Sequence, residues 1–161
     1  MKAIVAVDEH WGIGKGGKLL CPLSADLRRF KTLTLGHSVI LGRKTLSTFP
    51  GGRPLPGRRN LILSRDPAFQ AAGAEIFPDR EALLAAAPDD SIVIGGESIY
   101  KMLLDVCDTV WVTRIFRTFD ADARFPDLDS DPAWTASASE PPLEENGVPF
   151  QYVTYLRHLR A

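Results

Sequence analysis

The stretch Leu20–Lys31 (LCPLSADLRRFK) carries a single acid, Asp26, inside an amphipathic pattern. At about 100° per residue, Leu23, Leu27, Phe30 and Leu33 gather on one helical face, and Arg28, Lys31 and Thr32 fall opposite. Asp26 lies between Leu23 and Phe30 at helical spacing, so it shares the apolar face. A carboxylate there must be paired, neutralised or bound to a ligand, because burying a bare charge is costly. The pattern makes Asp26 a candidate proton-handling or ligand-anchoring group. The plain alternative is a partnership with a buried Arg, or a cap on the first turn. Ser24 is the expected N-cap and Gly36 the expected stop.

Further chemistry sits where apolar runs end in glycine. In IVIGGESIY (Ile92–Tyr100) a strand-like run meets Gly95-Gly96 and a helix starts at once. Helix-start amides and close backbone approach make an anion site. Glu97 favours an empty strand-to-helix turn unless its charge points away. Gly42-Arg43-Lys44-Thr45 repeats the arrangement with two cations, and Leu63-Ser64-Arg65 closes the next strand. Two phosphate subsites on one edge suggest a dinucleotide, and the extra cations suggest one with an additional phosphate. Each cation alone is more often a solvated surface residue. In RPLPGRRN (Arg53–Asn60) prolines stiffen a loop ahead of arginines suited to clamp a carboxylate.

One motif misleads. Gly12, Gly14 and Gly17 spell G-x-G-x-x-G, but Pro22 and Ser24 delay the helix and Thr34–His37 offers no acid. A dinucleotide fingerprint needs both features. A mobile glycine loop over a site is the expectation instead.

These residues need a scaffold. Ala3–Val7, Ser38–Leu41, Asn60–Ser64, Ala74–Phe77 and Ser91–Ile94 read as strands, most of them apolar on both faces. Helices are expected between them, at Arg80–Ala87 with Asp79 as cap and near Ser98–Leu104. Thr109–Phe116, Trp134–Glu140 and Phe150–Leu156 read as strands extending the sheet, with a turn at Asn146-Gly147. The alternation predicts an α/β fold in one domain, with a mostly parallel sheet covered on both faces and an antiparallel C-terminal part. The length of 161 residues suits one domain. A net charge of −1 and a pI near 6.3 argue against nucleic-acid or membrane-surface partners. No metal-type spacing is present, and Cys21 and Cys107 read as free thiols of a cytoplasmic protein.

In order and spacing, AIVAVD, WGIGKGG, SADLRRFK, VILGRKT, RPLPGRRNLILSR, IVIGGESIY, VTRI and FPD together resemble dihydrofolate reductase over nearly the whole chain. The resemblance implies a mixed central sheet of about eight strands flanked by about four helices. It implies reduction of 7,8-dihydrofolate to tetrahydrofolate with NADPH, by hydride transfer to pterin C6 with a proton going to N5. Asp26 would bind the pterin and promote that protonation, with Thr113 supporting its carboxylate. Ile4 and Ile94 would offer carbonyls to the pterin, beside Val5. Leu27, Phe30, Phe49 and Leu55 would enclose its rings, and Arg58 would hold the glutamate carboxylate. Ala6 would bind the nicotinamide carboxamide, Ile13 and Gly14 would also contact the cofactor, and Tyr100 would lie near the nicotinamide, within reach of cofactor and substrate. Lys44, Thr45, Gly95, Gly96, Glu97, Ser98 and Ile99 would hold the pyrophosphate. Arg43, Ser64 and Arg65 would take the cofactor's extra phosphate, and Gly42 and Leu63 would also contact the cofactor. A cis peptide between the paired glycines, a monomeric state and sensitivity to antifolates are implied as well.

The chain departs from the family at Leu20-Cys21, where most members have Pro-Trp beside an active-site water. Pro50-Gly51-Gly52 lengthens a loop, and Ser98 replaces a basic residue found in some members. A pyrimidine reductase of riboflavin synthesis would share the fold without needing Asp26 and Arg58 together. A folate- or dinucleotide-binding protein without turnover would keep the pocket.

Overall fold

Apolar runs make the centre of the sheet. In the computed structural model, which describes residues 1–158, the elements follow in chain order. They are β1 (Lys2–Val7), β2 (Gly12–Lys15), β3 (Lys18–Leu19), α1 (Ser24–Thr34), β4 (Ser38–Gly42), α2 (Arg43–Leu46), β5 (Arg59–Leu63) and β6 (Ala74–Phe77). Then come α3 (Arg80–Ala86), β7 (Ile92–Gly95), α4 (Glu97–Leu103), β8 (Thr109–Ile115), β9 (Ala123–Arg124), β10 (Trp134–Ser139), β11 (Leu143–Glu145) and β12 (Val148–Arg157). The main sheet runs β10-β12-β8-β1-β7-β4-β5-β6, with β11 paired to β12. From β8 to β6 every pairing is parallel, and β12 joins β8 antiparallel.

The central strands β1, β7, β4 and β5 are covered on both faces, which is why they lack polar alternation. On β4, Ile40 enters one core cluster while Val39 and Leu41 enter another. Leu61 and Ile62 of β5 divide in the same way, and all five of these aliphatic side chains are fully buried. Burying each such side chain stabilises the fold by roughly 1.5–3 kcal/mol before ordering costs. A third cluster joins Leu23 at the start of α1 to Ile115, Phe150 and Tyr152 of the C-terminal strands. No helix among the described residues is long and apolar enough to cross a membrane.

Two expectations change. The glycine stretch is not a plain loop: β2, β3 and β9 form a separate small antiparallel sheet. Its organiser is Asp8 at the end of β1, whose carboxylate accepts from the amides of Gly12 (2.8 Å), His10 (2.9 Å) and Phe119 (3.0 Å). Burial raises the Asp8 pKa, but those amides outweigh it and hold the carboxyl below its ordinary value. Ser24 is not the N-cap of α1. Leu23 occupies that position with extended backbone, and it has no side-chain acceptor to offer.

Candidate active site

Helix α1 turns one face to the core and another to a cleft. Leu23 and Thr34 are buried, whereas Leu27 stays 48% exposed. Leu27, Phe30 and Lys31 instead line a cavity of about 670 Å³ together with Asp26. An apolar residue left open beside an acid is what a ligand-binding wall requires. Lys31 therefore belongs to the cavity, although helical periodicity sets it opposite Leu23.

Asp26 is the sole carboxylate on that wall. Thr113 of β8 donates its hydroxyl to Asp26 Oδ1 at 2.5 Å. Burial pushes the Asp26 pKa above its ordinary value. The Thr113 hydrogen bond and the charge of Arg29 oppose that rise, and the charge of Glu145 adds to it. Burial prevails, which ranks effects that sequence alone leaves unranked.

The strands supply the rest of the cavity. Ile4, Val5 and Ala6 of β1 and Ile94 of β7 form its floor, and Tyr100 reaches in from α4. Tyr100 donates its hydroxyl to Ile4 O at 2.6 Å, leaving that carbonyl one further lone pair. Its burial keeps the phenol neutral. Phe49, Leu55 and Arg58 close the outer end. Arg58 is braced by donating Nη1 to Thr34 Oγ1 (3.0 Å) and Nε to Pro56 O (2.9 Å).

An adjoining cavity of about 180 Å³ shares Val5, Ala6, Thr45, Ile94 and Tyr100. Ile13 and Gly14 of the small sheet line it on one side, and Gly95, Gly96 and Glu97 on the other. The Gly95–Gly96 peptide is cis. A side chain at Gly96 would come within 3.2 Å of Thr45 Oγ1, and one at Gly42 within 3.1 Å of Ile99 Cγ1. Glu97 is turned to the small sheet, where its carboxylate accepts from the Arg124 amide and faces Lys101.

The remaining predicted residues lie outside both cavities. Leu63 and Ile99 are buried packing residues, and Thr113 acts from behind Asp26. Arg43 is exposed, paired with Asp66 at 3.3 Å and stacked over Phe69. Ser64 Oγ accepts from the Asp66 amide, and Lys44, Arg65 and Ser98 are exposed. Sequence reading missed Lys18, Leu19, Thr48, Asp122 and Ala123, all on the cavity walls. Only the exposed Leu19 in a glycine stretch offered a signal. Asp122 arrives from a distant loop, accepting from the Gly16 amide at 2.9 Å and giving its own amide to Gly14 O.

Residues 1–157 match the family model described as dihydrofolate reductase. The chain belongs to the dihydrofolate reductase family. It is 38% identical over 158 residues to dihydrofolate reductase type 3 of Salmonella typhimurium, covering 96% of each chain. It is 35% identical over 157 residues to the dihydrofolate reductase of Neisseria meningitidis, again covering 96% of each. The structure is similar to dihydrofolate reductase from Enterococcus faecalis complexed with NADP(H) and RAB-propyl, with a TM-score of 0.86 and 37% identity. That likeness covers 97% of this chain and 95% of the other.

Dihydrofolate reductases are NADP-dependent oxidoreductases, and the edge of this sheet fits a dinucleotide phosphate. Helices α2 and α4 start on Gly42 and Gly96 with no side-chain cap, at the carboxyl ends of the neighbouring parallel strands β4 and β7. Their first amides have no intrahelical acceptor. The glycines leave room against Ile99 and Thr45 that a Cβ would take. The departure at Cys21 also lies close to the acid: it lines a small cleft with Asp26, Leu27 and Asp8.

Proposed function

We propose that the protein reduces 7,8-dihydrofolate to tetrahydrofolate, with Asp26 binding the pterin and promoting protonation of N5. The observation that carries this reading is a lone half-buried carboxylate, held by Thr113, on an otherwise largely apolar cavity wall. NADPH supplies the hydride. The chain's own residues do the rest. Ala6, Ile13 and Gly14 position the nicotinamide end, and the starts of α2 and α4 with Thr45 hold the pyrophosphate. Arg43, with Ser64 and Arg65 at the next strand end, holds the extra phosphate, for which it must exchange or share its Asp66 partner. Leu27, Phe30, Phe49 and Leu55 exclude water from the rings, so that donor and acceptor carbons are held in contact. Arg58, already braced by Thr34, takes the substrate's glutamate carboxylate through a charge-assisted hydrogen bond.

A carboxyl whose proton affinity is raised by burial suits this task. It donates a hydrogen bond while protonated and, once ionised, attracts a proton from water toward the pterin. On this reading the protein works as a monomer, and antifolates fill the larger cavity. The test is NADPH oxidation followed by absorbance with dihydrofolate present. Steady oxidation yielding tetrahydrofolate supports the reading. Tight binding of both ligands without oxidation overturns it in favour of a binding protein.

A further inference from the structure

The cap on α1 comes from the other end of the chain. Glu145 Oε2 accepts from the Ser24 amide at 2.7 Å, and Oε1 accepts from the Ala25 amide at 3.0 Å. Both carboxylate oxygens are therefore used on the two amides directly before Asp26. Glu145 closes β11 ahead of the Asn146-Gly147 turn, opposite Val148 in the hairpin register. Arg117 donates Nη2 to Gly147 O at 2.7 Å and pins that turn. The hairpin grips α1 twice more: Leu23 packs on Phe150 and Tyr152, and the Arg29 guanidinium lies 4.1 Å from the centre of the Tyr152 ring. Glu145 is thus a fixed charge, although it faces solvent.

We propose that Glu145 is a positioning residue for the reduction, acting through Asp26 by fixing the first turn of α1 and by setting a second negative charge beside that acid. This rests on the role given above to Asp26. An open helix start carries partial positive charge and would favour an ionised Asp26. Glu145 neutralises that end. The bonds from Ala25 and Ser24, aided by the charge of Arg28, hold Glu145 itself below the ordinary carboxyl pKa, so the charge is present at neutral pH. Around Asp26, its own helix contributes Arg29, which favours ionisation, and β8 contributes the Thr113 hydrogen bond, which does the same. Tyr100 of α4 and Tyr152 of β12 face it as neutral phenols. The charge that opposes ionisation is Glu145. Removing it lets Asp26 lose its proton at lower pH, so the protonated carboxyl is lost earlier as pH rises.

The experiment compares wild type with Glu145→Gln, Glu145→Asp and, as control, Glu144→Gln at the exposed neighbouring position. Two pH titrations are measured: the carbon-13 shift of the Asp26 carboxyl in the ligand-free protein, and single-turnover hydride transfer from NADPH to dihydrofolate. In Glu145→Gln both midpoints should move to lower pH, and transfer on the falling limb should drop roughly two- to fivefold, the range of a partly screened charge pair. Glu145→Asp, which keeps the charge, should stay nearer wild type, and Glu144→Gln should match it. An unchanged Asp26 titration in Glu145→Gln, with only a lower melting temperature, overturns the inference and leaves Glu145 a plain helix cap. Equal behaviour of the Asp and Gln variants overturns the role of charge. A displaced Asp26 titration with an unchanged rate profile instead overturns the catalytic reading of Asp26, while the hold of Glu145 on it stands.

Discussion

Helices α2 and α4 begin on glycine with their first amides uncapped, whereas α1 and α3 begin under a carboxylate. Three of these starts lie at the same carboxyl edge of the parallel strands. Those after β4 and β7, adjacent at the centre of the sheet, are open. The one after β6, at the rim, is closed by Asp79, which accepts from the Ala82 amide at 2.8 Å. The difference separates two uses of one local structure. A capped start satisfies its amides internally and contributes about 1 kcal/mol to stability. An open start leaves its amides and its partial positive charge for an anion. The α1 start is a third case, capped from outside, so that its field does not ionise the acid one residue further on.

The largest effect should follow from Asp26→Asn. We expect turnover at neutral pH to fall by roughly 10²–10⁴-fold, the scale of a lost proton-handling group, with partial recovery in acid, where substrate enters already protonated. Thermal stability should move the other way. The folded-state pKa of Asp26 is raised, so its effect on stability is nil below the ordinary carboxyl range. The folded protein is then penalised as pH rises through the raised value. Asn, which can still accept from Thr113, removes that penalty, and its melting temperature at pH 7 should exceed that of wild type. Equal turnover in the two proteins would remove Asp26 from the reaction.

Closing an open start is the second way to break the comparison. Gly96→Asp writes a cap onto α4, and its charge would meet the cofactor's phosphates across a position where a Cβ already approaches Thr45 Oγ1 to 3.2 Å. Like charges brought together cost several kcal/mol, so NADPH affinity by titration should fall roughly a hundredfold or more. Gly96→Ala should lose less. If the two lose equally, crowding decides and charge does not.

Arg43→Ala tests the cation beside the other open start. Its side chain is half-exposed and shared with Asp66, so the preference for NADPH over NADH should shrink by only a few-fold to tenfold. A preference retained in full would shift attention to Arg65. The smallest functional effect belongs to Asp79→Ala, which uncaps α3. Denaturant unfolding should show a loss of about 1 kcal/mol, with NADPH and dihydrofolate affinities unchanged. A changed affinity would mean that the rim helix communicates with the centre of the edge.

Asp79 was legible because its bond spans only three residues, and Gly42, Gly95 and Gly96 because strand, glycine and helix follow one another directly in the chain. The floor strands were legible from continuous apolar runs. Ser24 was misread for an equally specific reason. The backbone enters α1 one residue earlier, with Leu23 in the N-cap position, and the amides of Ser24 and Ala25 go to the Glu145 carboxylate, 121 and 120 residues away. The glycine stretch was misread as a loop because its short β2–β3 pairing is held in place by the Asp8 carboxylate and by the distant β9.

By itself, then, the sequence determined the short-range facts: which runs are strands, where helices start on glycine, and that one acid shares a face with Leu23 and Phe30. It also determined the family, because the order and spacing of several short motifs are specific together even where each is weak alone. Tertiary structure decided the chemistry of that acid. Its proton affinity depends on burial against β8, on a hydroxyl 87 residues away at Thr113, and on the charge of Glu145. Desolvation and Coulomb interactions act through space and respond to what the folded chain brings near, so no local pattern around Asp26 could encode them.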